Sequence, residues 1–75
     1  MQIITNSLIW VMNHQTLSNE FVDRLISHQS GISRVKHSNK SNGLIFIDYD
    51  SDESNMVDIT HNLQREGINA RIIGI

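Results

Sequence analysis

The 75-residue sequence has no cysteine, no proline, and only one Trp, one Tyr and two Phe. Without cysteine there is no disulfide, no thiolate metal site and no thiol nucleophile. That composition fits a reducing compartment, and a cytoplasmic location is expected. Without proline no rigid linker is indicated. Positive charge is also scarce, with six Lys/Arg against eight Asp/Glu for a net charge of −2. No basic footprint is evident, so no nucleic-acid partner is expected. The longest apolar run, Leu8 to Met12, falls far short of the roughly 20 residues of a membrane span. The start of the sequence lacks the charged region and small-residue cleavage site of a signal peptide, so none is expected.

What remains suits one small domain over 1–75. A chain this short buries only about 60% of its unfolded surface, so modest stability is expected. "QIITNSLIWVM" is β-branched and aromatic, and its second half reads as a buried strand, with "TNS" as a bulge or an edge extension. In "NHQTLSNEFVDRLISHQSG", Phe21, Val22, Leu25 and Ile26 form one helical face. Ser18 is the expected N-cap, Leu17 and Val22 have the spacing of a hydrophobic staple, and Glu20 suits the positive end of the helix dipole. Gly31 is expected to end this helix as a left-handed cap.

"ISRVKHS" reads as a strand in which Ile32, Val35 and His37 alternate imperfectly. "SNKSNG" is a turn, and "LIFIDYD" is the clearest strand. So short a loop makes the pair an antiparallel hairpin. A second helix follows "SDESN", capped by Asn55 or Ser54, with Met56, Val57, Thr60 and Leu63 at helical spacing, Arg65 in its last turn and Gly67 as its stop. "INARIIGI" closes as a strand with Ile68, Ala70 and Ile72 on one face. The order β-α-β-β-α-β predicts an α+β, ferredoxin-like βαββαβ sandwich. Its four-stranded antiparallel sheet is covered on one face by two helices. Right-handed crossovers put the first and third strands in the centre. Trp10 and Phe46 on those strands are expected to be core residues.

Gly31-Ile32, Ile47-Asp48-Tyr49-Asp50 and Gly67-Ile68, in that order and spacing, make Leu8 to Ile73 similar to the heavy-metal-associated domain of copper chaperones and metal-transporting ATPases. That family binds metal through a Met-x-Cys-x-x-Cys loop between the first strand and first helix. The resemblance aligns Asn13 with the methionine and Gln15 and Ser18 with the two cysteines, and His14 lies between. Two thiolates hold a soft cation such as Cu(I) because both are soft and anionic; Gln and Ser are neutral, hard and weak. The resemblance therefore implies the fold without the family's metal site.

His14 is the one loop residue that could still ligate Cu or Zn, and alone it makes a weak site. His28, His37 and His61 show no i, i+4 pairing and read as scattered surface residues. Asp48, Asp50, Asp52 and Glu53 lack the Gly and distal Glu of a Ca²⁺ loop and read as a solvated strand end. Ser18 and His14 have no evident orienting acid or oxyanion hole, so no enzymatic activity is expected. Amino-acid-sensing modules share this topology, but no Gly-rich ligand loop supports that role. A ferredoxin-like sheet can bind RNA through aromatics on its central strands. Here Trp10, Phe46 and Tyr49 are read as having no basic surround. The expected role is a non-catalytic protein-interaction or accessory module without a resident cofactor. Its partner would be an unidentified protein or a second copy, met through the edge strand "ARIIGI" or "SRVKHS". Weak Cu or Zn handling through His14 is the alternative.

Overall fold

The structure, a computed structural model, describes residues 3–74. The elements are β1 (Ile4–Val11), a 3₁₀ turn (His14–Thr16), α1 (Asn19–Ser27), β2 (Ile32–His37), β3 (Leu44–Asp50), α2 (Met56–Arg65) and β4 (Ala70–Gly74). The strands form one antiparallel sheet in the order β2-β3-β1-β4, with β1 and β3 central as expected. Two helices cover one face, giving the ferredoxin-like βαββαβ sandwich.

β1 is regular through "TNS". Ile4 to Trp10 pair without a break against β3, whereas β4 reaches only Leu8 to Val11. Thr5, Asn6 and Ser7 are thus an extension of β1 past the end of β4. A bulge in the β2 pairing between Ile32 and Arg34 accounts for that strand's imperfect alternation. The extra residue resets the two-residue period, so Ile32, Val35 and His37 all face the helices.

The core sits between sheet and helices. Ile9, Val11, Ile45, Ile47 and Tyr49 from the sheet meet Val22, Ile26, Met56, Ile59 and Leu63 from the helices, with Ile68 and Ala70 at the entry to β4. Ser18 caps α1 by accepting from the Phe21 amide at 3.1 Å. Asn55 caps α2 from the Asp58 amide at 2.9 Å, while its own amide donates to the Asp58 carboxylate at 3.0 Å. At the end of α2, the Gly67 amide donates to Gln64 O and the Ile68 amide to Leu63 O. With Gly67 at φ +88°, this is a Schellman cap, closed by the buried pair Leu63 and Ile68.

Four expectations are corrected. First, α1 ends at Ser27 with His28 as its cap. Gly31 takes φ +81° in the turn that starts β2, where its carbonyl accepts from the Asp50 amide at 2.7 Å. Second, Phe21 and Val57 are exposed, and Ile59 takes the core position on α2 instead. Third, Asp50 is buried rather than solvated and accepts from the Asp52 amide at 2.9 Å, shaping the turn into α2. Fourth, Trp10 and Phe46 are not core residues. They lie on the face of the sheet opposite the helices, because Ile9, Val11, Ile45 and Ile47 occupy the covered face and strand neighbours point to opposite sides. Tyr49 is buried on the helix side. Register also sets Lys36 across from Phe46 and Arg71 across from Trp10, so the open face has basic neighbours that the linear sequence does not reveal.

Candidate functional site

The loop from Met12 to Ser18 joins β1 to α1 at one end of the sheet. Hydrogen bonds tie it down on three sides. The Met12 amide donates to Asn69 O at 2.9 Å. Asn13 accepts from the Asn69 amide at 2.9 Å and donates through Nδ2 to Gly67 O at 2.9 Å. Asn13 O in turn accepts from the Thr16 amide at 3.1 Å and the Thr16 hydroxyl at 2.9 Å, closing the 3₁₀ turn. Ser18 is occupied as the α1 cap, and Leu17 before it packs against the core with Val22, as a hydrophobic staple requires.

His14 is placed by packing. Its ring meets Trp10 edge-on, with centroids 5.7 Å apart and an interplanar angle of 69°. It also covers Gly43. A Cβ at that position would lie 2.7 Å from His14 Cδ2 and 2.9 Å from Val11 O, and Gly43 has φ +90°. Only glycine fits such a conformation and such a gap.

The four residues that the resemblance aligns with a metal loop therefore have separate tasks. Asn13 latches the loop to the segment before β4, His14 fills the space above Gly43, Gln15 is exposed, and Ser18 caps a helix. His14 and Gln15 also line a cavity of about 320 Å³ together with His37 and Asn42. This pairing of His14 with His37 across a cavity is absent from the linear sequence, where the two are 23 residues apart (37 − 14). His37 is not a free surface histidine: its Nε2 donates to Asp23 on α1. A larger groove of about 500 Å³ runs between the ends of the helices past Leu25, His28 and Asn62. Gln29 bridges it, donating to Ile59 O at 3.4 Å and accepting from Asn62 at 3.2 Å.

The donor set does not fit a thiolate-held soft metal. There is no sulfur anion, and the loop's oxygen and nitrogen donors are neutral. Among the described residues no group of three or more His, Asp or Glu is arranged to hold a metal ion, and no buried side-chain N or O lacks a hydrogen-bond partner. Among those residues no helix is long and apolar enough to cross a membrane.

The fold is shared with solved structures. Oxidized MerP from Ralstonia metallidurans CH34 matches with a TM-score of 0.80 and 17% identity over 93% of this chain and 97% of that one. The CsoZ metallochaperone matches with a TM-score of 0.67 and 22% identity over 95% of this chain and 99% of that one. No protein-family model and no curated protein matches the sequence. The chain thus has the fold of MerP and of a metallochaperone, assembled without a cysteine.

Proposed function

We propose that this chain is a non-catalytic interaction or accessory module of metal homeostasis, working in the cytoplasm, built on the heavy-metal-associated fold without its thiolate site. The observation that carries this reading is the reassignment of the loop. Asn13 and Ser18, which the resemblance aligns with the methionine and one cysteine, hold hydrogen bonds that maintain the fold. A loop whose side chains are committed in this way is poor at releasing and accepting a metal ion. The outer sides of β2 and β4 offer backbone groups for pairing with a partner strand or a second copy. The test is a titration with Cu(I), Cu(II) and Zn(II) followed by NMR. Amides from Met12 to Ser18 should stay in place at equimolar metal. A saturable shift confined to them would overturn the reading.

One observation favours a second reading, weak Cu or Zn binding through His14: His37 lines the same cavity. Two imidazoles suit Cu or Zn better than one. His37 would first have to leave Asp23. On this reading both His14→Ala and His37→Ala abolish any Zn(II)-induced shift, and binding that survives both variants eliminates it.

A further inference from the structure

The face of the sheet opposite the helices carries a strip of large apolar side chains. Register places Leu8 across from Phe46 and Trp10 across from Leu44, with Ile4 further along β1 on the same side. Ile4 and Phe46 are each 46% exposed. A hollow of about 350 Å³ opens between Phe46, Asn6, Leu8 and Gly74. Gly74, the residue of β4 opposite Leu8, brings no side chain to that corner.

Cations flank the strip on both outer strands. Lys36 on β2 is the cross-strand neighbour of Phe46, and Arg71 on β4 is that of Trp10; Arg34 on β2 lies across from Asp48. These are half of the six Lys/Arg of an acidic chain. Among the described residues, none of the three is within ion-pair distance of a carboxylate; the one such contact joins His37 and Asp23. The acids Glu20, Asp23, Asp58 and Glu66 lie on the helices or at their ends, together with Arg24 and Arg65, and Asp48 is the acid of β3 that faces Arg34 on the open side. Around Trp10 and Phe46 the open face is thus apolar, with a cation on each rim, Lys36 on β2 and Arg71 on β4.

We infer that this face docks an amphipathic helix of a protein partner, apolar along its contact stripe and acidic along both flanks. The inference rests on the interaction-module reading and names its surface. The outer strands β2 and β4 are separated by three strand spacings, about 14 Å. A helix with its side chains is about 10–12 Å across. Laid over β1 and β3, it seats an apolar anchor in the hollow beside Phe46 and brings its flanking carboxylates to Lys36 and Arg71. The far face of the sheet already takes helices in this way, and a third helix gives a three-layer sandwich. Trp, Phe and Arg are side chains that carry protein interfaces. Of the five apolar side chains in the strip only Trp10 and Phe46 could stack a base; Ile4, Leu8 and Leu44 are aliphatic and suit the apolar stripe of a helix, and an oligonucleotide probe separates the two occupants.

Trp10 is the chain's one tryptophan, so its emission reports on this face. The probes are three: a Trp-free helical peptide with a leucine stripe flanked by Glu, the same peptide with Lys in place of Glu, and oligouridylate. The Glu peptide should shift Trp10 emission to the blue and saturate, with the Lys peptide weaker by about tenfold or more. Lys36→Glu together with Arg71→Glu should weaken the Glu peptide by a similar factor, and Phe46→Ser should do so without altering the charge. All these positions are exposed, and a thermal melt verifies that each variant folds. The inference is overturned by a silent Trp10, by equal binding of the two peptides, or by oligouridylate shifting Trp10 at lower concentration than the Glu peptide. Failure here with the loop still inert to metal removes the surface and leaves the module reading standing. Metal capture by the loop removes that reading while the Trp10 assay still reports on the face.

Discussion

The two faces of the central sheet are built from the same strands and differ in what covers them. On one, Ile9, Val11, Ile45 and Ile47 are buried under both helices. On the other, Leu8, Trp10, Leu44 and Phe46 alternate with those residues along the same strands and have no helix over them. Apolarity along a strand therefore does not identify its core side. From Leu8 to Trp10 and from Leu44 to Phe46 these strands are apolar on both sides, as strands sandwiched between two layers usually are, yet the described residues supply one layer. The difference teaches that the uncovered apolar surface of these strands lies on the open face of the sheet rather than in the loop.

The strongest test of this asymmetry is deletion on the covered side. Ile47 is fully buried. Ile47→Ala should cost about 3 kcal/mol, from lost transfer energy and the cavity left behind. For a domain of this size that is a large share of its stability. Chemical denaturation should show a sharply lower midpoint with an unchanged slope; a loss below about 1 kcal/mol would mean that Ile47 is not central to the core.

A second test addresses the hinge between the faces, where His14 lies over Gly43 and against Trp10. Gly43→Ala should cost about 2 kcal/mol, because it combines a strained positive φ with close contacts to the imidazole and to Val11 O. Trp10 emission should change as His14 is displaced. Adding His14→Ala should recover only part of the loss, since the contact with the Val11 carbonyl remains. Full recovery would place the whole penalty on the imidazole.

The loop latch should matter less. Asn13→Ala removes two hydrogen bonds, to Gly67 O and from the Asn69 amide, at a partly exposed position. The expected loss is about 1 kcal/mol, with faster amide exchange at Asn69. No change in either would show the loop to be held by packing alone and would weaken its reading as a structural element.

The chain's local signals were legible. Ser18, Asn55 and Gly67 stand where the caps of the helices require them, and the β-α-β-β-α-β order led directly to the sheet topology. Other features depend on placement in space. The bulge between Ile32 and Arg34 resets the alternation of β2, so the side of His37 follows from the register with β3. Gly31 is separated from the end of α1 because the helix closes at His28 with backbone bonds of its own. The latch made by Asn13 was not legible, because its hydrogen-bond partners Gly67 and Asn69 are more than fifty residues away. Trp10 and Phe46 were misplaced because strand apolarity carries no sign. Their cationic neighbours Lys36 and Arg71 come from opposite edges of the sheet and meet them only through register.

The smallest expected effect is the most informative about the open face. Phe46 is large, aromatic and central in the sheet, yet 46% exposed. If nothing within this chain covers it, Phe46→Ser should alter stability by only about 0.5 kcal/mol, the range of ordinary surface substitutions. The aromatic ring does contribute some strand preference and a cross-strand contact with Leu8, worth a few tenths of a kcal/mol. That loss is partly offset by removal of exposed apolar surface, which should also raise solubility. A loss near 2 kcal/mol would instead mean that the strip of Leu8, Trp10, Leu44 and Phe46 is a second core. The two faces would then differ in degree rather than kind. A near-neutral change in stability with a large change in peptide binding is what separates an interface from a core.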